Sequence, residues 1–485
     1  MRIAFIQNNA LDESQALLEL GAYLKGLGHP ATVFLDRCER DLSASVSGFR
    51  PGLVIVAASM LNHSWAREVC ARLRPLGIPI LIGGTAPTLF PTALSRIDAD
   101  FIVRGEAENP VREVVEALDD GAAPHEILNV AGLFQPHGAE FEGTAAAPGI
   151  DLDRIPAAHK DLYYDRYPFM RKFPFKRFLS SRGCHHRCTY CYIPSLNKVQ
   201  PREKGQKWTR RKSPEQAVEE VAREKAMGPL SHVHFSDDLF TNDADWLDEF
   251  APLYRRRVGV PFTCNTSAEL ITDGVAAALS EAGCYGIGFA VETASQQLRL
   301  KVLRKGVTEE HLMNAAAALH KHKVKLATFN MVALPGETPD ECLDTAILNA
   351  KLGTSFARLN FAFPMPGTGM TEYAIKEGFL PQDWPAKFAN PEFRYKPGPQ
   401  FKTPYRTEFE NLFVLFRLVS HNRSLAPAVR RAMSTKTPKS IYRLLTLQGA
   451  WNDKRTFRIP IVAGLRFFAK VGRPELRATN FPALI

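Results

Sequence analysis

Short apolar runs alternate with longer amphipathic segments over the first 118 residues of the chain. The apolar runs fall at 3–6, 32–35, 53–57, 78–82 and 101–103, and helical periodicity falls at 12–27, 64–76 and 110–118. The runs are continuously apolar, which is typical of strands covered on both faces in a parallel sheet. The pattern predicts an α/β fold with an open, Rossmann-like doubly wound sheet, which binds ligands beyond the carboxyl ends of its strands.

The ends of these predicted strands carry residues suited to ligand contact. They are Asn8, Ser59, Gly83, Gly84, Gly105 and Glu106. Glycines directly after a buried strand let the backbone approach a ligand closely, and a plain turn is the alternative explanation. No G-x-G-x-x-G is present, which disfavours a dinucleotide site. We predict a first domain over residues 1–120 and a linker over 121–170, with a possible hairpin across 136–138.

A second alternation of strands and helices runs through the middle of the chain. Strand-like runs fall at 177–181, 232–235, 262–265, 285–291, 325–334 and 358–363, and helical patterns fall at 214–227, 243–257, 272–281, 308–320 and 338–352. Six such units predict a partial (β/α)6 TIM-type barrel over 171–374, with functional groups where strands end and loops begin. Residues 375–485 contain helix-like segments such as 409–419 and 440–447, which predicts a small, mainly helical C-terminal cap.

The cysteines point to metal chemistry. Eight cysteines in 485 residues are too few for a disulfide scaffold, and three are bunched as Cys184-x3-Cys188-x2-Cys191. Three thiolates in one loop can hold three irons of a cubane cluster and leave the fourth iron exposed. A zinc site that includes His185 or His186 is the alternative, although adjacent ligands on so short a segment strain tetrahedral geometry. The five isolated cysteines are predicted to fill the core.

The net charge of +10 is distributed unevenly. Residues 171–212 hold 13 Lys or Arg against Glu203, and residues 401–485 hold 16 against four acids, so each stretch carries +12 and the remainder carries −14. This asymmetry raises the question of an anionic partner, with a solvated basic face as the alternative. No uninterrupted apolar run reaches ~18 residues and no signal peptide is apparent, so we expect a cytoplasmic protein.

The cysteine loop resembles that of the radical S-adenosylmethionine (SAM) enzymes, in the branch with an N-terminal cobalamin-binding domain. The resemblance rests on Ser181-Arg182-Gly183-Cys184-His185-His186-Arg187-Cys188-Thr189-Tyr190-Cys191 and on the segments 234–240, 289–293, 334–338 and 364–368. The segments 83–87 and 103–108 are similar to turns of the cobalamin domain. The likeness covers roughly residues 1–370.

The resemblance implies three cofactors. Cys184, Cys188 and Cys191 would ligate a 4Fe-4S cluster, and SAM would chelate its open iron, so that one electron cleaves SAM to a 5′-deoxyadenosyl radical. Contacts to the iron-bound SAM would come from Tyr190, Asp237, Asp238 and Glu292. Helix caps and a barrel-floor carboxylate are the alternative roles for the acids. Cobalamin would bind at the strand ends of the first domain named above.

The sequence departs from two family patterns. Asn8, Asn9 and Ala10 stand where a cobalamin motif Asp-x-His-x-x-Gly would begin, so no histidine is offered as lower axial ligand. His29 and His63 are predicted to be surface or capping residues. Asp237-Asp238 also replaces the Gly-Gly-Glu of many relatives.

Two stacked cofactor domains favour a cobalamin-dependent methyltransferase acting on an unactivated carbon, or a phosphorus, of a small molecule of the natural-product type. The uneven charge leaves open an anionic substrate. An external electron donor such as flavodoxin or ferredoxin is implied. Open alternatives are a non-methylating cyclase, oxidase or rearrangement enzyme acting on a tetrapyrrole, lipid or antibiotic precursor, an RNA-modifying enzyme, and a sensor without catalysis. The nucleic-acid signal is weak, because no extra cysteine trio or RNA-binding barrel is visible. The segment 457–471 is a weak candidate for contact with a membrane surface, with core packing as the commoner explanation.

Overall fold

The structure is a computed structural model, and it describes residues 1–435 except 11–12, 95–96, 138–139, 144, 159, 203–204 and 394–395. The predicted helix-like segment 440–447 and the candidate membrane-surface segment 457–471 lie outside the described residues. None of the helices within the described part is long and apolar enough to cross a membrane.

The first sheet has seven strands in the order β2-β1-β3-β4-β5-β6-β7. The strands are β1 (Ile3–Gln7), β2 (Ala31–Leu35), β3 (Leu53–Ala57), β4 (Ile80–Gly83), β5 (Phe101–Val103), β6 (Leu133–His137) and β7 (Glu140–Gly143). The first five are parallel, while β6 and β7 form an antiparallel hairpin that continues the sheet from β5. The predicted linker hairpin is therefore part of the first sheet. The strand order reverses at β1, which places the switch point between β1 and β3.

Helices cover both faces of this sheet. They are α1 (Gln15–Gly26), α2 (Leu42–Phe49), α3 (His63–Leu73), α4 (Thr85–Leu89) and α5 (Glu108–Asp119), followed in the linker by α6 (Asp161–Tyr164) and α7 (Pro168–Arg171). Sequence periodicity did not predict α2 and α4. The eight-residue α2 and the five-residue α4 are too short to show a helical period clearly.

The second sheet is a six-stranded parallel half-barrel in the order β15-β14-β13-β12-β11-β8. Its strands are β8 (Phe175–Phe178), β11 (His232–Phe235), β12 (Phe262–Thr266), β13 (Cys284–Glu292), β14 (Lys325–Val332) and β15 (Phe356–Phe361). A separate antiparallel ribbon joins β9 (Ser181–Arg182) to β10 (Arg210–Arg211). The predicted first barrel strand, 177–181, ends early because the chain leaves the sheet at Leu179 and forms this ribbon.

Helices pack on the outer face of the half-barrel. They are α9 (Pro214–Met227), α10 (Ala244–Arg257), α11 (Asp273–Ala282), α12 (Glu309–Lys321) and α13 (Pro339–Lys351). Helix α8 (Ile193–Val199) lies elsewhere, against α4 of the first domain, and a π-helix at Leu298–Val302 follows β13. The largest apolar core lies between these helices and the strands, and it includes Phe235, Phe250 and Phe262. The isolated cysteines Cys264 and Cys284 lie in this core as predicted.

The described part of the C-terminal region is helical, with α14 (Gly369–Lys376), α15 (Trp384–Ala389), α16 (Arg406–His421) and α17 (Ala426–Ala432). Helix α16 packs along α13, and the Phe409 and Phe416 side chains fill that contact. Helix α15 reaches the first sheet, where Phe388 stacks on His63 with ring centroids 5.0 Å apart. The prediction for His63 is a surface or capping residue. His63 is 2% exposed, so it is not on the surface, and it lies at the first position of α3 with its Nδ1 atom 2.9 Å from the Met60 carbonyl oxygen.

Candidate functional site

The cluster loop, residues 183–191, begins where β9 ends. Gly183 has φ +96°, and a Cβ atom there would lie 2.2 Å from the Trp208 carbonyl oxygen, so only glycine fits at this position. The Asn197 side chain of α8 donates to the Cys184 carbonyl at 3.1 Å. The loop is therefore held by a close backbone crossing at its start and by a helix beside it.

The three cysteines of the loop are free thiols in sheltered positions. Cys188 is 8% exposed, and Cys184 and Cys191 are half-buried. Burial raises the pKa of Cys184 to about 11 and that of Cys191 to about 12. The Ile193 amide donates to Cys191 Sγ at 3.4 Å, the type of hydrogen bond that stabilises a ligating sulfur. Metal ligation would remove these thiol protons outright.

The donor set fits an iron-sulfur cubane. Each thiolate of a cubane binds its own iron, so the three sulfurs need not converge on one point. Among the described residues, no group of three or more His, Cys, Asp or Glu side chains is placed to hold a single metal ion. His186, considered above as a zinc ligand, lies 3.0 Å from Glu269 through its Nε2 atom.

Tyr190 and Glu292 meet at the mouth of the half-barrel. The Tyr190 hydroxyl donates to Glu292 Oε1 at 2.6 Å, and burial raises the pKa of both groups. Glu292 ends β13 with φ +64°, next to an irregularity in the pairing of β13 with β14. A left-handed conformation at a non-glycine residue is strained, and such strain is commonest at functional sites. The structure thus brings these two predicted residues together beside the cluster loop.

Lys305 is a further candidate site residue, which sequence reasoning missed. The segment before it touches the cluster loop, because the Thr189 amide donates to the Leu303 carbonyl at 2.9 Å. Lys305 is 7% exposed, and its ammonium opposes the rise in pKa that burial causes at Cys188 and Glu292. No described carboxylate lies within 4.0 Å of this ammonium.

A buried ammonium needs a counter-charge. The thiolates of a cluster and the carboxylate of an iron-bound SAM both supply one. The signals for Lys305 are structural, namely the π-helix at Leu298–Val302 and the left-handed Arg304 at φ +46°. Neither is visible in the sequence.

The two aspartates after β11 have separate surroundings. Asp237 is 1% exposed and accepts hydrogen bonds from the Ser180 amide at 3.1 Å, the Ser180 hydroxyl at 2.6 Å and the Ser181 hydroxyl at 2.5 Å. These bonds anchor the start of the ribbon. Asp238 is exposed towards a cavity. Desolvation by the surrounding protein raises its pKa to about 6, and the negative charge of Asp237 adds to the rise. Of the pair, Asp238 is the one available to a ligand.

A cavity of about 370 Å³ lies between the first sheet and the cluster loop. Its first-domain wall is mainly apolar and comes from Leu17, Leu20, Ile55, Leu81 and Val111, and its barrel-side wall includes Gly183, Tyr192, Trp208 and Asp238. Tyr192 and Trp208 are each more than a third exposed, an unusual state for large aromatic residues. The cavity opens at the carboxyl edge of the sheet, where this fold binds ligands.

Four of the six predicted strand-end residues line this cavity. They are Gly83, Gly84, Gly105 and Glu106. Gly84 has φ +120°, and a Cβ atom there would lie 2.4 Å from the Ala58 carbonyl oxygen, so this turn requires glycine.

Asn8 and Ser59 are not among the cavity residues. Asn8 Oδ1 accepts from Arg37 Nε at 3.2 Å, and the Ser59 amide donates to Asn62 at 2.6 Å.

Much of the basic stretch 171–212 is paired inside the protein. Lys176 contacts Glu13 at 3.3 Å, Arg182 contacts Glu19 at 2.6 Å, and Lys212 contacts Glu220 at 2.8 Å. Arg210 pairs with Glu106. These four cations pair with carboxylates from the acidic remainder of the chain. They therefore need neither an anionic partner nor a solvated basic face, the two explanations considered from the sequence.

Two family models match the chain where the two sheets lie. Residues 178–348 match the Radical SAM superfamily, and residues 14–115 match the B12 binding domain. The chain therefore belongs to the cobalamin-dependent radical SAM enzymes. The predicted family and fold class are confirmed, and the cofactors of this family are a 4Fe-4S cluster, SAM and cobalamin.

Relatives with assigned names share most of the chain. An uncharacterised methyltransferase of Pyrococcus horikoshii is 28% identical over 349 residues, covering 70% of this chain and 73% of the relative. The cytidylyl-2-hydroxyethylphosphonate methyltransferase of Streptomyces wedmorensis is 24% identical over 383 residues, covering 70% of each. The anaerobic magnesium-protoporphyrin IX monomethyl ester cyclase of Rubrivivax gelatinosus is 24% identical and covers 67% of this chain and 60% of the relative.

Two solved structures share the fold over most of the chain. The radical SAM methyltransferase TsrM of Kitasatospora setae, with cobalamin and a 4Fe-4S cluster bound, matches with a TM-score of 0.66 at 15% identity, covering 89% of this chain and 99% of that chain. The cobalamin-dependent radical enzyme OxsB, with aqua-cobalamin bound, matches with a TM-score of 0.67 at 14% identity, covering 94% and 72%.

Proposed function

We propose that this protein is a cobalamin-dependent radical SAM methyltransferase that methylates an unactivated carbon, or a phosphorus, of a small molecule. One observation carries the proposal. A single cavity is bounded on one side by the strand ends of the B12-binding sheet and on the other by the residues around the cluster loop. Groups bound to the two domains would face each other across it. Two of the relatives described above are named methyltransferases, which supports the same activity.

When bound, the cluster supplies the electron that cleaves one SAM to a radical, and cobalamin supplies a methyl group taken from a second SAM. The chain binds and positions these groups, and it excludes water from them. Cys184, Cys188 and Cys191 would hold the cluster, and Tyr190 with Glu292 forms a fixed hydrogen-bonded pair beside it. We infer that Lys305 faces the negatively charged groups of this site, which are the cluster thiolates and the carboxylate of SAM.

For cobalamin, the first-domain wall offers close backbone at Gly84 and Gly105 and an apolar slot lined by Leu17, Leu20 and Leu81. No histidine follows β1, so we infer that the protein supplies no imidazole to the metal from that position. Gln200 donates to the Ala147 carbonyl and accepts from the Glu106 amide at 2.9 Å, which closes the cavity on its third side.

The substrate and the electron donor belong to this proposal. We infer a small-molecule substrate. The two electrons that each methylation consumes would come from an external flavodoxin- or ferredoxin-type protein. The exposed cations Arg202 and Lys207, which line the cavity, suit an acidic partner or an anionic substrate.

The test is anaerobic reconstitution with iron, sulfide and hydroxocobalamin, followed by counts of bound metal and of SAM products. The wild type is expected to bind iron and cobalt and to release both S-adenosylhomocysteine and 5′-deoxyadenosine. Cys184→Ala is expected to abolish iron binding and 5′-deoxyadenosine while leaving cobalt bound, because the cobalamin wall does not use the thiol. Cys264→Ala, in the barrel core, is the control and should keep both metals.

Two results would count against the proposal. Release of 5′-deoxyadenosine without S-adenosylhomocysteine would favour the non-methylating alternative. Failure to bind iron would remove the radical chemistry altogether.

A further inference from the structure

A cluster of ion pairs joins the two cofactor domains directly beside the cluster loop. We call it the charge lock and define it by three cations of the barrel side and three carboxylates of the first domain: Arg182, Arg210 and Lys212, with Glu19, Glu106 and Glu108. Glu19 lies on α1, and Glu106 and Glu108 lie at the start of α5. The cations lie on or next to the ribbon of β9 and β10, where Arg182 faces Arg210 in the pairing register.

Arg182 is the centre of the charge lock. Its guanidinium contacts Glu19 Oε2 through Nη2 at 2.6 Å and through Nε at 3.0 Å, Glu108 Oε1 through Nη2 at 2.6 Å, and Glu106 Oε2 through Nη1 at 3.3 Å. All three nitrogens therefore contact first-domain carboxylates. Arg182 is a positioning residue, because no nitrogen remains without a protein partner for a ligand.

The charge lock has buried members, and one of its cations also pairs with a barrel helix. Glu19 is 2% exposed, and Lys212 Nζ contacts it at 2.8 Å while also contacting Glu220 of α9 at 2.8 Å. Burial alone would raise the pKa of Glu19, but Lys212 and Arg182 overcome this and hold that pKa at about 2. The carboxylate is therefore ionised, and the pairs are charged in the folded protein. A planar guanidinium held by several carboxylates fixes orientation as well as distance.

Arg182 is also the second residue before Cys184. Between them stands Gly183, where a Cβ atom would lie 2.2 Å from the Trp208 carbonyl oxygen, and the Thr209 hydroxyl donates to the Gly183 carbonyl at 3.4 Å. A displacement of Arg182 relative to Glu19 and Glu108 would therefore carry the first cysteine of the loop with it.

We propose that the charge lock sets the position of the cluster loop relative to the cobalamin-binding sheet, so that the two cofactors keep one separation and orientation. The inference rests on the proposed function for its purpose, since group transfer between two bound groups is sensitive to misplacement of about 1 Å. It does not depend on methylation for its test.

The test uses the reconstituted full-length protein with hydroxocobalamin and no substrate. Reduction generates cob(II)alamin and the reduced cluster, both paramagnetic, and EPR measures the magnetic coupling between them. The wild type is expected to show one well-defined coupling. Arg182→Gln is expected to keep wild-type iron and cobalt contents and to show a weaker and broader range of couplings. Arg182→Lys, which keeps the charge and loses the planar fork, is expected to be intermediate.

Glu108→Gln provides a second route if Arg182→Gln does not fold, because it removes one charge and keeps the shape. It is expected to broaden the coupling in the same direction. Arg74→Gln is the matched control, since it breaks an ion pair with Asp100 (3.0 Å) that lies within the first domain, and it should leave the coupling unchanged.

The outcomes separate the two proposals. An unchanged coupling in Arg182→Gln and Glu108→Gln, with or without a lower melting temperature, would overturn the charge lock and reduce these residues to a general structural role. A changed coupling in a protein that releases no S-adenosylhomocysteine would support the charge lock and overturn the methyltransferase.

Discussion

Lys305 places a positive charge beside the cysteines at the scale of a single side chain. Lys305 is 7% exposed, and its backbone amide donates a hydrogen bond to the Arg299 carbonyl at 2.9 Å. Because no described carboxylate pairs with it, the charge is available to an anionic group of the bound cofactors.

We predict that Lys305→Met weakens SAM binding. A hydrogen bond to a charged group contributes about 1.5–3 kcal/mol, so the dissociation constant of SAM should rise by about ten- to a hundredfold. Equilibrium binding of SAM to the reconstituted protein measures this. Lys301→Met, an exposed lysine four residues earlier, is the control and should bind SAM as the wild type does. Equal affinities for the two variants would contradict the role given to Lys305.

The site was predicted from sequence only in part, and its residues show why. The cysteine loop was identified because its spacing is local, and Tyr190 lies within it. Lys305 was missed because its closeness to the loop depends on a π-helix and a left-handed residue. The charge lock was missed because Arg182 and Glu19 are 163 positions apart, a pairing that no local pattern encodes.

At the scale of the elements, the turn between β14 and α13 holds a buried acid. Glu337 is 3% exposed, its Oε2 accepts from the Leu334 amide at 3.1 Å, and its Oε1 is buried with no hydrogen-bond partner among the described residues. Burial raises the pKa of this carboxyl to about 8. The folded protein therefore keeps the proton at pH values where the unfolded chain has lost it.

We predict that stability falls as pH rises from 4.5 towards about 8 because of this group. Between these values the folded state binds one more proton than the unfolded state, so the free energy of unfolding falls by up to about 1.4 kcal/mol for each pH unit. Glu337→Gln should remove that component and stabilise the protein at pH 8, as measured by urea denaturation at several pH values. Glu310→Gln, on the exposed first turn of α12, is the control. A wild-type pH slope in Glu337→Gln would refute the assignment.

Most elements of the barrel are predictable because local residues, such as caps and prolines, mark where each one begins or ends. The sequence pattern predicts a helix over 214–227, and these are its observed bounds. Proline is its first residue, and the Ser213 hydroxyl caps it by accepting a hydrogen bond from the Gln216 amide. The two-residue strands of the ribbon were not predictable. Strands that short have no periodicity, and tertiary contacts alone set their pairing.

At the scale of the whole molecule, helix α15 of the C-terminal region packs against the first domain. Phe388 of α15 is fully buried, and its ring lies 5.0 Å from that of His63, 6.0 Å from that of Phe90 and 4.8 Å from that of Phe393. The chain after the last barrel strand thus packs against the core of the B12-binding sheet.

We predict that Phe388→Ala lowers the free energy of unfolding by about 3–5 kcal/mol, the usual cost of removing a buried aromatic ring. Because the contact joins two units, the first domain should also become more sensitive to limited proteolysis before the barrel does. Phe250→Ala, in the barrel core, should cost a similar amount without that preference. An identical digestion pattern for both variants would show that α15 does not clamp the first domain.

The contacts of the cluster loop also bear on the order in which the protein is made. Arg182, directly before the loop, contacts Glu19 and Glu108. Within the loop, the Thr189 amide donates to the Leu303 carbonyl and the Thr189 carbonyl accepts from the Met370 amide, each at 2.9 Å. Its supports are therefore spread from the N-terminal helix to residue 370. A ribosome must release the first 370 residues before the cysteines reach their final positions, so we expect the metal to be inserted late in biogenesis.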